Sequence, residues 1–133
     1  MISGLLIDPF EKSVTRVGLG DNSTLKDAKK FMQLDGPIDI VTLTDDTMVI
    51  VDDEGLLKDE VLGGQRYFKL SQFHQPLAGR AIVVGYDEDG ETISFDYDDS
   101  LDKFLETIEW MPEDHVEEPF MQFIPIPNEK EMN

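Results

Sequence analysis

The chain has 133 residues, 40% of them hydrophobic and 30% charged, which suits one compact folded domain and leaves little room for two. It has no cysteine, so disulfides, thiolate metal sites and cysteine nucleophiles are excluded. Its formal net charge of -18 disfavours direct contact with nucleic acid or an anionic membrane, both polyanions, and suits a basic protein partner or a cation.

Ile2 to Ile7 is a short apolar run closed by Asp8-Pro9, the pattern of a strand with a turn after it. Lys12 to Leu19 alternates with one slip and predicts a second strand, hairpin-paired with the first. Asp21-Asn22-Ser23-Thr24 then opens a helix, capped by Asn22, Ser23 or Thr24, with Thr24 and Asp27 at capping-box spacing. Leu25, Ala28, Met32 and Phe31 are expected on its buried stripe, with Lys26, Lys29 and Lys30 towards solvent. Asp35-Gly36-Pro37 stops it.

Ile38 to Thr44 and Thr47 to Val51 are rich in Ile, Val and Thr and predict two strands around a two-residue turn at Asp45-Asp46. Leu56 to Gly64 reads either as loop or as one helical turn. Gln65 to Leu70 predicts a short strand and Ser71 to Gly79 a loop. Arg80 to Tyr86 is nearly continuous in apolar residues and predicts the central strand, with a hairpin across Asp87 to Gly90 into Glu91 to Asp96. There Ile93 and Phe95 are expected on one face. Asp98, Asp99 or Ser100 caps a second helix. Its stripe, Leu101, Phe104, Leu105 and Ile108, has the i, i+3, i+4, i+7 spacing of a one-sided amphipathic helix ending at Pro112. Phe120 to Ile126 alternates around Pro125 and is either an edge strand or an extended arm. The whole predicts an α+β sandwich of two layers, two helices on a mainly antiparallel sheet of five to seven short strands, in a single domain over 1–127 with a frayed tail at 128–133.

The charge is uneven. Residues 1–44 hold six acids and five bases, residues 45–86 seven and four, and residues 87–133 sixteen and two. On the second predicted helix Asp102, Glu106, Glu109 and Glu113 follow at i, i+4, i+7 and i+11, opposite the apolar stripe. At about 1.5 Å per residue they would stand about 5–6 Å apart, comparable to phosphates along a DNA strand. Asp96, Asp98 and Asp99 extend the field upstream; Asp114, Glu117 and Glu118 extend it downstream. Like charges at i, i+4 destabilise a helix, so such a row carries a local cost. A plain solvated face is the alternative reading. Trp110, Phe120, Met121 and Phe123 border the region and are expected in the core.

No other constellation rises to a reaction. His74 and His115 lack a partner at metal-ligand spacing. Asp87, Asp89 and Glu91 miss the calcium-loop pattern, because Gly90 would place the first ligand at Gly85, so a hairpin turn is expected. Gly18-Leu19-Gly20-Asp21-Asn22-Ser23-Thr24 joins a strand to a helix, whose N-terminal amides favour anions, and three lysines follow. It lacks the third glycine of a dinucleotide fingerprint and the Gly-Lys-Ser/Thr of a P-loop. No metal and no cofactor is expected.

The segments LLIDP, VDDEGLLKD and above all QPLAGRAIVVGYDEDGE resemble a family of small uncharacterised proteins and domains of bacteriophages and mobile elements, over roughly Gly4 to Ile93. The resemblance transfers no catalytic residues. It implies a phage or mobile-element setting, hence the cytoplasm of a bacterial host. No apolar run reaches the ~18 residues of a membrane span, and the N-terminus lacks a basic leader segment. The first functional reading is a non-enzymatic protein that binds and inhibits a basic, nucleic-acid-binding host protein through Asp96 to Glu118, as a DNA mimic. The second is a small-ligand binder that sequesters a nucleotide-like anion and so counters host defence. It would use Gly18, Gly20, Asn22, Ser23 and Thr24, with Arg80 or the nearby lysines as counter-charge. Arg80 has a structural reading as well, as a hydrogen-bond hub. The oligomeric state is left open.

Overall fold

The structure, a computed structural model, describes residues 1–55, 64–95 and 100–115. Leu56 to Gly63, Asp96 to Asp99 and everything after His115, including the Phe120 to Ile126 segment, lie outside the described residues. The α+β sandwich expected from the sequence is what forms. Among the described residues are nine strands in two antiparallel sheets and two helices.

The larger sheet has the order β2-β1-β7-β4-β3, with β8 pairing the far end of β7. Its strands are β1 (Ile2–Asp8), β2 (Ser13–Leu19), β3 (Ile38–Thr42), β4 (Thr47–Asp52), β7 (Ala81–Tyr86) and β8 (Thr92–Ile93). The smaller sheet has the order β6-β5-β9, from β6 (Leu77–Ala78), β5 (Tyr67–Leu70) and β9 (Ile108–Trp110). Helix α1 (Thr24–Met32) lies on one face of the larger sheet. The smaller sheet and α2 (Ser100–Leu105) close the other.

This double cover explains why β7 has no polar alternation. Val83 and Ala81 face Leu5, Ile7, Phe68 and Phe104, while Ile82 and Val84 face Ala28 and Met32. All four of these residues are fully buried, and Ile82, Val83 and Val84 each contribute about 1.5–3 kcal/mol. Glycine lets the chain cross close at the end of this strand. A Cβ on Gly85 would sit 2.9 Å from the Ser94 carbonyl oxygen and 3.3 Å from that of Asp46. The chain after β8 then leaves β7 and runs to β1, where Phe95 N–H donates to the Ser3 carbonyl (2.9 Å). Phe95 is consequently buried and Ile93 exposed, so the two do not share a face as alternation predicts.

The β3–β4 pairing matches Thr42 with Met48 and is extended by the Leu43–Thr47 bond, which leaves the three residues Thr44, Asp45 and Asp46 in the loop, one more than expected. Both Leu43 and Thr44 N–H donate to the Thr47 carbonyl, and the Asp46 carboxylate takes the hydroxyls of Thr44 and Thr47.

Helix α1 departs from its predicted stripe. Ala28 and Met32 are buried, but Leu25 and Phe31 are 47% and 38% exposed. The helix is short and packs over β2, β1 and β7, so only a narrow stripe finds a partner. It ends at Gln33 in the left-handed conformation (φ 56°), whose N–H reaches back to Lys30 while Leu34 N–H reaches Lys29, as in a glycine-type helix stop.

Candidate interaction surface

The acidic row is not on one helix. Helix α2 ends at Leu105, where Thr107 closes it by donating from both N–H and Oγ1 to the Phe104 carbonyl (2.9 and 2.7 Å). Ile108-Glu109-Trp110 then pairs with Leu70-Lys69-Phe68 of β5. Thr, Ile and Trp are strand-favouring residues, and an available edge on β5 overrides the helical spacing of Leu101 to Ile108. The predicted row at i, i+4, i+7, i+11 is therefore broken: Asp102 lies on α2, Glu106 in the turn after it, Glu109 on β9, and Glu113 and Asp114 in the following loop.

All five are exposed. They share the layer formed by α2 and the smaller sheet, on the side of the larger sheet away from α1. Glu113 meets Arg66 at 3.5 Å. Lys69 stands opposite Glu109 in the β5–β9 register, but its Nζ donates to the carbonyls of Leu70 and Phe73. Asp96, Asp98, Asp99, Glu117 and Glu118 lie outside the described residues. Trp110 is half-buried against the core, and His115 packs edge-on to the buried Tyr67 ring, centroids 5.1 Å apart. Phe120, Met121 and Phe123 lie outside the described residues.

The alternative anion site is filled by the chain itself. Gly20 N–H donates to Asp27 Oδ2 (2.8 Å), Ser23 Oγ donates to the same oxygen (3.0 Å), and Thr24 Oγ1 donates to the Gly20 carbonyl (2.9 Å). Ser23 is the N-cap but makes no side-chain bond to the helix amides, and its hydroxyl meets Asp27 in place of the predicted Thr24–Asp27 capping box. Asp21 meets the N-terminal ammonium at 3.0 Å. The amides of Gly20 and Ser23 are thus already used, and Gly18 sits in the β1–β2 ladder opposite Ser3. Asn22 is exposed.

The Gly20 N–H, then the Ser23 hydroxyl, hold the Asp27 carboxyl below its ordinary pKa. Its folded pKa is lower than its unfolded one, so its contribution is fully present above the unfolded value, about 3.9, and is lost as pH falls through the folded one. The expected result is an Asp27→Asn variant less stable than the parent at pH 6 but converging with it in strong acid. Urea midpoints at the two pH values check this; equal gaps at both would exclude the carboxylate as the cause.

Arg80 cannot serve that turn. Its Nε donates to Asp8 Oδ2 at 3.2 Å, and its guanidinium lies 4.7 Å from the centre of the Phe10 ring. Asp8 is at the far end of β1 from Ile2, which pairs with Leu19, and the two ends of β1 are about 20 Å apart at roughly 3.3 Å per residue. Asp8 Oδ1 meanwhile accepts the N–H groups of Phe10 and Glu11 and shapes the β1–β2 turn.

Here the three sequence segments meet. Asp8 belongs to LLIDP and Arg80 to QPLAGR, while Gly55 of VDDEG abuts Ala78, where an added Cβ would lie 3.1 Å away. The buried Gln65 ties them by donating to the Gly55 carbonyl (2.8 Å). A half-open pocket of about 90 Å³ remains among Phe10, Met32, Asp52, Gln65 and Arg80. Sequence reasoning missed Gln65 and Asp8 as parts of this junction; nothing in local spacing links residues so far apart. Replacing Arg80 with Met is expected to cost roughly 1–3 kcal/mol, the range for a charged hydrogen bond whose partner stays behind half-buried. Urea denaturation would measure it, and an unchanged midpoint would remove the structural role.

Among the described residues no three His, Asp or Glu side chains gather to hold a metal, and no helix is long and apolar enough to cross a membrane. No curated protein and no solved structure matches the chain. A family match does exist, and it runs beyond the segment that carried the resemblance, through α2 and into β9. Its span takes in Asp102, Glu106 and Glu109 and leaves out Glu113 and Asp114. Residues 2–109 match the family model of DUF3846, a domain of unknown function, and the chain belongs to that family.

Proposed function

We propose that the protein is a non-enzymatic interaction module that engages a basic protein through the acids of the α2–β9 layer. The observation that supports this is their disposition. Asp102, Glu106 and Glu109 are exposed within eight residues, and the one lysine on the opposing strand is turned away from them. Three exposed acids against the one exposed lysine of the same stretch, Lys103, leave a net negative field, which steers a partner of opposite sign and weakens as salt rises. Where the partner's basic surface binds DNA, the protein competes with that DNA as a mimic of its charge. Regular helical spacing does not support that finer reading; charge density does. The resemblance to phage and mobile-element proteins supports a host factor as the target and the bacterial cytoplasm as the place.

A small-anion reading keeps one observation. Lys26, Lys29, Lys30 and Gln33 line an open cleft of about 410 Å³ with Leu34 and Asp35. It offers a place among the described residues for a nucleotide-like ligand apart from the Gly18 to Thr24 turn, where Asp27 already sits.

The test is capture of host proteins on the immobilised protein at about 0.1 M and about 1 M salt, where the screening length falls from ~10 Å to ~3 Å. A basic protein held at low salt, released at high salt and lost from the D102N/E106Q/E109Q variant is the expected result. A partner held equally by that variant would overturn the reading.

A further inference from the structure

The larger sheet ends at β3. Among the described residues no strand pairs with its outer edge. The polarity of that edge follows from the ladder. Leu43 N–H donates to the Thr47 carbonyl at one end, and Asp53 N–H donates to the Pro37 carbonyl at the other. The odd-numbered residues of β3 therefore point their N–H and C=O groups at β4. Ile38, Ile40 and Thr42 point theirs outward. The Ile40 N–H accordingly meets not a strand but the Asp39 carboxylate, at 2.8 Å.

This edge is lightly guarded, by the Asp39 charge on the strand and by Pro37 just before it. Folded proteins usually blunt an open edge with lysine, proline or a bulge. Here the register runs unbroken over all five residues, and the middle one, Ile40, is 45% exposed. Ile40 pairs with Ile50 and so lies on the α1 face, but α1 packs chiefly over β2, β1 and β7, and of the β3 side chains on that face Ile38 joins the α1 cluster while Ile40 stays exposed. The surrounding charge is mostly acidic, with Lys103 of α2 near Leu43 and Asp46 at one end. Asp39 is on the strand, Asp45 and Asp46 are in the loop beyond one end, and Asp53 and Glu54 lie beyond the other. From Phe31 to Gly55 there is no Lys or Arg.

We propose that the outer edge of β3 receives an extended basic segment of a partner protein as an added antiparallel or parallel strand. Main-chain bonds to Ile38, Ile40 and Thr42 supply the pairing. An apolar residue of the incoming strand covers Ile40, and lysines or arginines flank it against the acids at the two ends. The Asp39 carboxylate holds the Ile40 N–H until the incoming carbonyl replaces it, and then faces the added positive charge. This surface is separate from the α2–β9 acids, and the two stand or fall independently because their variants share no residue.

The probe is a capped nonapeptide alternating lysine with valine, titrated into the full-length protein and followed by amide NMR shifts and hydrogen exchange. In the free protein the Ile38 and Thr42 amides are expected to exchange fast and Val41 slowly. Peptide should protect Ile38, Ile40 and Thr42, and a glutamate-for-lysine peptide should not bind. Thr42→Pro removes an outward donor without touching the β3–β4 ladder, a position where an edge strand tolerates proline, and should weaken binding roughly tenfold or more. Ile40→Lys, at an exposed site, should do the same by charge. Three results would overturn the proposal: shifts confined to Asp102–Asp114, both variants binding as the parent does, or Ile38 and Thr42 already protected in the free protein. The last would mean that the edge is covered by this chain or a second copy of it.

Discussion

Phe104→Ala is expected to cost about 3–5 kcal/mol, the range for deleting a buried aromatic side chain. Phe104 is 5% exposed and meets the Phe95 ring edge-on, centroids 5.5 Å apart. It is the described side chain of α2 that enters the core, among Leu70, Val49 and Val83 in the same cluster. A domain of this size holds only about 5–15 kcal/mol in total, so the loss is a large share of it. The outcome divides in an informative way. If α2 opens alone, the Glu106 and Thr107 amides, bonded to the Asp102 and Phe104 carbonyls, lose protection from hydrogen exchange while β7 keeps its own, and partner binding falls with them. If the chain unfolds as one unit, both lose protection together. A midpoint shift under 1 kcal/mol would mean that Phe104 is not packed as described.

How far the sequence reaches can be argued from particular residues. The run Ala81 to Val84 is legible because a strand covered on both faces needs no polar position, and no helix of that length fits between its turns. The β1–β2 and β3–β4 hairpins are legible because their pairing is local. What was not legible depends on partners distant in the chain. Ile108-Glu109-Trp110 carries helical spacing and strand-forming side chains at once, and the tie is broken by β5, about forty residues earlier. Arg80 is bound by Asp8 across 72 positions, so its role could not be read from the motif that contains it. The stripe of α1 was overfilled for a related reason. Spacing nominates every apolar residue near the buried face, but a short helix over three strands covers only Ala28 and Met32. The Gly18 to Thr24 turn has a carboxylate of its own chain on the Gly20 amide and the Ser23 hydroxyl. The anion is Asp27, seven residues after Gly20, and such a spacing has no standard motif to announce it.

D102N/E106Q/E109Q is expected to weaken binding of a basic partner by about three- to a hundredfold at low salt, from three exposed charges each worth about 0.2–1 kcal/mol. Most of the change should fall in the association rate, because exposed charges steer approach more than they hold the docked state. The slope of affinity against salt should flatten for the same reason. Stability should hardly move, within about 0.5 kcal/mol, since none of the three side chains is buried or holds an ion pair among those described. Net charge alone is not a sufficient account, and a second variant separates the two. E88Q/D89N/E91Q, in the exposed β7–β8 turn, removes the same three charges elsewhere. If the partner reads the local field of the α2–β9 layer, this variant binds nearly as the parent does. If it reads only the total of -18, the two variants weaken equally. Surface-plasmon association rates at two salt concentrations distinguish these, and equal losses would move the site off this layer and leave a diffuse electrostatic attraction in its place.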